Sequence, residues 1–198
     1  MSFESYMLKG RISTLWMVLG TVISGFVSVL SLDNNLYISI IQLLASFTFL
    51  ILFLLAMNGF AKYYADSKIF KNSLYSVIIA VIAGNIMRII MFTFVTPILE
   101  ESAFLTGLQV VAVLWVVTSI VLILQGIFYR RAFNALGEKS GEPNFKQAGE
   151  YMFFGGVLTI VLVGIIGFFI GWILAFKGFS SMKPKSSQDN SVQETPSN

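Results

Sequence analysis

Arg88 has the most chemistry to offer in this chain. It lies near the middle of an apolar stretch, 75–98, with Tyr75 at one end and Ile98 at the other. A guanidinium at that depth costs about 2.5–3.5 kcal/mol on insertion scales. The flanking Ile86, Met87, Ile89 and Ile90 offset the cost of insertion but cannot satisfy the cation. Helical spacing puts Ala80, Gly84 and Arg88 on one face with Asn85 beside them. Small residues of this kind mark close helix contact, so the face is expected to point into the protein. With a rise of roughly 1.5 Å per residue, Arg88 lies about 15 Å below the outer boundary. In the next, antiparallel stretch Gln109 lies about 8 Å and Trp115 about 16 Å below the same boundary. Arg88, Asn85, Gln109 and Trp115 are thus a candidate intramembrane polar site.

Three roles are open to it. Arg88 could clamp the two helices, with Gln109 as hydrogen-bond acceptor and the Trp115 ring facing the cation. It could bind an anionic substrate or line a water-filled path, the default for an ionisable group in a membrane. Or it could snorkel outward with no partner. No Asp, Glu or His falls in any apolar stretch to pair with it or relay a proton. Polar and small residues recur at helical spacing elsewhere: Ser39, Gln42 and Ser46; Thr21, Gly25 and Ser28; Gly156, Thr159, Gly167 and Gly171. These read as packing stripes.

Catalysis finds no footing. The chain has no Cys and no His, and so no thiolate, sulfur-ligated metal or imidazole base. No nucleophile–base pair, metal constellation or phosphate loop is present. Glu100 with Glu101, and Glu138 with Glu142, fall in loops and read as solvated surface. No catalytic residue, metal or cofactor is therefore assigned. The net charge of +3 is too small for a nucleic-acid footprint.

The elements that must position these residues are membrane helices. Of 198 residues 56% are hydrophobic and only 12% charged, against roughly 25% charged in soluble domains. A hydrocarbon core about 30 Å thick needs roughly 20 apolar residues. Five stretches qualify: approximately 12–32, 36–57, 75–98, 104–128 and 152–176. Backbone groups unpaired in lipid force them into helices. The expected fold is all-α, a polytopic transmembrane bundle of about five spans over 1–178, followed by a disordered polar tail, 179–198. The first run reads as a retained signal-anchor.

Basic residues orient the bundle. Lys9 and Arg11, then Lys62, Lys68 and Lys71, then Arg130, Arg131, Lys139 and Lys146 fall on one side, while the opposite short loops carry Asp33, Glu100 and Glu101. The N-terminus is expected in the cytoplasm of a multi-pass plasma-membrane protein, and five crossings put the C-terminus outside. Lys177, Lys183 and Lys185 contradict that last placement. The glycines of the fifth stretch could permit a re-entrant path, although about 25 residues are too few for two full crossings.

The two basic loops look alike. Phe70-Lys71-Asn72 and Phe145-Lys146-Gln147 each follow a turn, with Tyr75 or Tyr151 next at the membrane edge and the spacing off by one. Either a two-span unit is duplicated, or both loops have converged on residues that favour this depth. In the second loop the helix is expected to run past the membrane through Arg130, Arg131, Phe133 and Leu136. It should stop at Gly141, where glycine takes the left-handed conformation.

The run from Arg130-Arg131 through Asn134, Lys139 and Gly141, with Phe145, Ala148-Gly149 and the glycine-rich helix beyond, resembles a mostly archaeal family of integral membrane proteins, domain of unknown function 996. Gly59-Phe60-Ala61-Lys62-Tyr63-Tyr64, with Ile69-Phe70 and Leu74-Tyr75, is similar to the same family's pattern. The resemblance covers roughly 10–178 and implies four or five spans, with no assigned activity and no catalytic residues to carry over. The expectation is a non-catalytic membrane subunit, scaffold or partner-binding protein, in contact with the lipid bilayer and with copies of itself or other membrane subunits. The alternative is a small oligomeric transporter or channel component using the Arg88 and Asn85 region.

Overall fold

A computed structural model describes residues 2–29, 36–90, 104–161 and 163–184. Among them are six α-helices and no strand: α1 (Phe3–Val29), α2 (Leu36–Tyr63), α3 (Ser67–Ile90), α4 (Phe104–Ser140), α5 (Pro143–Leu158) and α6 (Gly164–Ser181), with a 3-10 turn, Thr159–Val161, joining the last two. Four are long and apolar enough to cross a membrane: α2, α3, α4 and α6. The chain is an all-α polytopic bundle. Each helix packs on the next, and α6 packs on α1, so the six close into a ring.

The turns at the basic end follow local chemistry. Gly141 takes φ 70° and ends α4 where expected. Glu142 then caps α5, its carboxylate accepting from the Asn144 backbone N–H, and Pro143 takes the first helical position, where its missing N–H costs nothing. The α2–α3 turn repeats the device with Ala65 at φ 52° and Asp66 accepting from the Lys68 N–H at 2.9 Å. The two turns are 76 residues apart, and the same shift pairs buried residue with buried residue on both sides of them: Phe53 with Tyr129, Ala56 with Ala132, Phe60 with Leu136, Ile69 with Phe145. It also pairs Tyr75 with Tyr151, both about half exposed. Burial and turn conformation thus fit the duplicated-unit reading, in a register the Phe-Lys-amide triplets miss by one residue.

The core fills the ring at this basic end. Phe53, Tyr129, Phe133 and Trp172 interlock, with Phe53 edge-on to Trp172 at 5.6 Å and Tyr129 edge-on to it at 5.2 Å. Phe60, Phe145 and Phe179 continue the cluster toward the helix ends, all fully buried. Aromatic pairs in such geometry add about 0.5–1.5 kcal/mol each beyond area burial.

Three sequence expectations are corrected. The first helix begins at Phe3, nine residues before the expected span, because Phe3 and Tyr6 pack on Phe60 and Tyr63. The helical domain does not end at 178: Phe179 and Met182 are core residues, and the rest of the expected tail, from 185 on, lies outside the described residues. Most consequentially, the stretch 152–176 is not one span. The α-helix stops at Leu158, and α6 doubles back from Gly164 to pack antiparallel along α5.

Glycines make the reversal fit. A Cβ on Gly167 would stand 2.6 Å from the Gly155 Cα, and one on Gly156 would stand 2.6 Å from the Leu122 carbonyl oxygen of α4. Hydropathy sums over both arms alike and is blind to the direction of the chain. The C-terminal end of α6 thus returns beside the N-terminal part of α1, where Arg11 donates to the carbonyls of Phe179 and Ser180 at 3.0 and 2.9 Å. That contradicts the expectation of ends on opposite sides. The hairpin tip lies level with Trp115, about 16 Å short of the start of α4 at the α-helical rise. Beyond the tip, α1–α4 continue alone among the described residues.

Candidate functional site

Two constellations carry the polar chemistry. The first lies inside the ring, on the far side of the aromatic core. Facing the interior along the same line as Phe53, α2 presents Leu50, Ser46 and Gln42. Between this face and α3 is a cavity of about 240 Å³, lined by Gln42, Ser46, Ala80, Gly84 and Asn85 among others. A cavity of about 400 Å³ adjoins it at Ser46 and Leu50 and is bounded by Trp16, Gly20 and Thr21 of α1. A third, of about 350 Å³, adjoins it at Ala80 and Gly84 and reaches Met87, Thr118 and Gln125. Sharing these residues, the three make up one open, polar-flecked chamber that begins at Leu50, about one turn along α2 from Phe53 of the aromatic core.

Few of the polar groups here are committed to partners outside their own helix. Asn85 donates from Nδ2 to the Val81 carbonyl at 2.7 Å, one turn back on α3. Thr21 and Thr118 bond likewise to Met17 and Leu114. The Gln42 Nε2 is buried with no hydrogen-bond partner among the described residues. A Cβ on Gly84 would meet nothing within 4 Å. The polar stripe on α2 and Thr21 on α1, expected to pack, therefore border open space instead; side chains at 24–29 and at Ser39 lie outside the described residues.

The expected four-residue site is only partly assembled. Arg88 continues the α3 register one turn past Gly84, and its side chain lies outside the described residues. Asn85 lines the chamber. Gln109 is exposed on α4. Trp115 has another role: its Nε1–H donates to the Ile160 carbonyl at 3.2 Å, satisfying a backbone acceptor where the hairpin turns. The link between α3 and α4 is made by Ser76, whose hydroxyl donates to the Gln125 carbonyl at 3.1 Å.

The second constellation is the loop at the basic end. Arg130 pairs with Glu150 at 2.8 Å and sits 4.9 Å from the Phe153 ring centroid, joining α4 to α5. Arg131 lies 5.8 Å from the Phe128 ring, one turn back on its own helix. Asn134 lies against Gly149, its Oδ1 buried and without a partner among the described residues. Lys139 is exposed, and Gly141 makes the turn. Glu142, expected to be plain solvated surface, instead joins two elements: it caps α5 and accepts from the Ser181 hydroxyl of α6 at 2.7 Å. An acidic residue between a helix-ending glycine and a proline was the signal for the cap; nothing in the spacing announced Ser181. At the companion turn, burial pushes the Tyr64 hydroxyl up to about 12, with Tyr63 beside it adding to the shift.

Among the described residues no group of three His, Cys, Asp or Glu could hold a metal ion. The fold and both constellations describe a polytopic helical membrane bundle, with a closed aromatic core at its basic end and a broken last pair of helices. The chain belongs to the family "Protein of unknown function (DUF996)", whose model matches residues 45–173. It is 27% identical over 149 residues to an uncharacterized protein, MJ1644, of the archaeon Methanocaldococcus jannaschii, covering 71% of this chain and 80% of that one. No solved structure matches.

Proposed function

We propose that the chain is a non-catalytic component of the cell membrane, a scaffold or subunit whose partners engage its basic end. The observation that carries this reading is the closed aromatic core. Phe53, Tyr129, Phe133 and Trp172 fill the ring where any conduit would have to pass. A transport cycle would have to open that packing at each turnover, and this disfavours a carrier or channel built from one ring. Such a core is suited to rigid presentation of the loops above it. Lys62, Lys68, Lys71, Lys139, Lys146, Lys177 and Lys183 all gather at that end once α6 has doubled back. The positive-inside tendency favours a cytoplasmic position for this end, with the start of α1 and the end of α6 beside it. In that placement α5 and α6 form a re-entrant hairpin, and Lys177 and Lys183 no longer violate the rule.

Mild solubilisation of native membranes followed by affinity purification tests the reading. A stoichiometric companion, either another membrane chain or a second copy, is expected. Its yield should fall when Lys68 and Lys71 are both changed to Glu, at unchanged thermal stability. A chain that elutes alone as a monomer overturns the proposal.

A further inference from the structure

We infer that the chamber between α1, α2, α3 and α4 is a binding site for an amphipathic anion, a single carboxylate or phosphate group carried on an apolar chain. The inference is independent of the scaffold reading and would stand if that reading fell.

Charge supplies the first argument. Arg88 is the one charged residue in the apolar stretches 12–32, 36–57, 75–98 and 104–128, and none of these contains an Asp or Glu. A guanidinium in hydrocarbon needs a counter-charge or a set of acceptors to be tolerable. The stretches offer no anion from the chain itself. The helical register sets Arg88 one turn beyond Gly84, which borders two of the three cavities.

Hydrogen-bonding capacity supplies the second. Gln42 brings a buried amide nitrogen that donates to nothing among the described residues. Ser46 lines the same cavity, and the Asn85 amide adds a further polar group beside it. Unused donors around a space are what an anionic headgroup requires, and a buried donor left unpaired is unfavourable until something accepts from it.

The rest of the wall selects the tail. Leu43, Phe47 and Leu50 on α2 and Met87, Val121 and Leu122 across the chamber are apolar. A small hydrated ion would leave these surfaces unfilled, whereas an alkyl chain would cover them. Gly84 keeps the two parts continuous, since nothing stands within 4 Å of where its side chain would begin.

The test is a native mass spectrometry titration of the detergent-purified full chain with dodecanoate, dodecyl phosphate, uncharged dodecanol and inorganic phosphate. Saturable binding of one dodecanoate or dodecyl phosphate per chain is expected, at least tenfold tighter than dodecanol, with inorganic phosphate failing to compete. Comparing the two charged probes decides which headgroup is preferred. Arg88→Gln should weaken the charged probes at least tenfold and bring them level with dodecanol. Gly84→Leu, which projects a bulky side chain into the space from a position where the first atom meets nothing within 4 Å, should abolish binding while elution stays monodisperse. If Arg88→Gln fails to fold, Gly84→Leu and Gln42→Leu carry the test. Equal binding of charged and uncharged chains, equal competition by inorganic phosphate, or indifference to the chamber variants overturns the inference.

Discussion

One substitution made at two glycines should have opposite signs. In Gly156→Ala the new Cβ would stand 2.6 Å from the Leu122 carbonyl oxygen and 3.0 Å from the Ile123 Cα, both main-chain atoms of α4. Ordinary contact begins at 3.4 Å, so α5 would have to retreat by the difference, most of an ångström. Overpacking of this kind costs about 1–3 kcal/mol. The retreat also strains the Trp115–Ile160 bond, worth about 0.5–1.5 kcal/mol. Against these stands the gain of about 0.8–1.0 kcal/mol from replacing Gly by Ala in a helix. The net is a loss of about 1–3 kcal/mol. Gly84→Ala collects the same helix gain with nothing within 4 Å to oppose it, a net rise of up to about 1 kcal/mol. At this chain length each kcal/mol moves Tm by roughly 2–4 °C. Detergent-solubilised protein heated in steps and then resolved by size exclusion should show Gly156→Ala below the parent and Gly84→Ala at or above it. A joint fall would refute the open space at Gly84, and a joint rise would refute the close α4–α5 contact at Gly156.

Other consequences are as direct. Because the chain has no cysteine, Lys68→Cys and Lys183→Cys can be labelled without background, and an impermeant maleimide should reach both from the same side of sealed vesicles; labelling from opposite faces would disprove the doubling back of α6. Phe53→Ala removes a fully buried ring at the centre of the aromatic core and should cost about 3–5 kcal/mol in thermal or denaturant unfolding, whereas a loss under 1 kcal/mol would show the core to be loosely packed. The Arg130–Glu150 pair is 41% and 37% exposed, so Glu150→Gln should lower stability by less than about 1 kcal/mol, and a larger drop would mean the pair is desolvated. Trp115→Phe keeps the ring but loses the indole N–H; about 0.5–1.5 kcal/mol should go with it, together with faster amide exchange around Thr159–Val161, and unchanged exchange there would remove Trp115 from the turn.

What could be read from the residues followed the physics each signal reports. Apolar runs identified the helices, since lipid leaves the backbone no other way to pair. Gly141 announced its own left-handed turn, and Phe133 and Leu136 announced the continuation of α4, because both are local rules. The hairpin was not legible from hydropathy, for Gly155, Gly164 and Gly167 look the same in a straight helix as in two arms in contact. The clue to it lay in Lys177 and Lys183, cations on what would have been the wrong side. Trp115 was assigned by depth to the Arg88 side chain, yet depth leaves open which way round the helix a residue points, and its partner is the Ile160 carbonyl. Gln42 and Ser46 have the same spacing whether they border a neighbouring helix or a void, so only the fold distinguishes packing from lining.

The early stop of the hairpin gives the molecule a taper. In the proposed placement, six rods displace lipid near the cytoplasmic surface, while among the described residues four do so toward the opposite one. An inclusion broader at one end asks its two leaflets for unequal area. It is accommodated best where the sheet bends to widen the leaflet holding the larger cross-section, so the shape of the protein is coupled to the shape of the membrane around it.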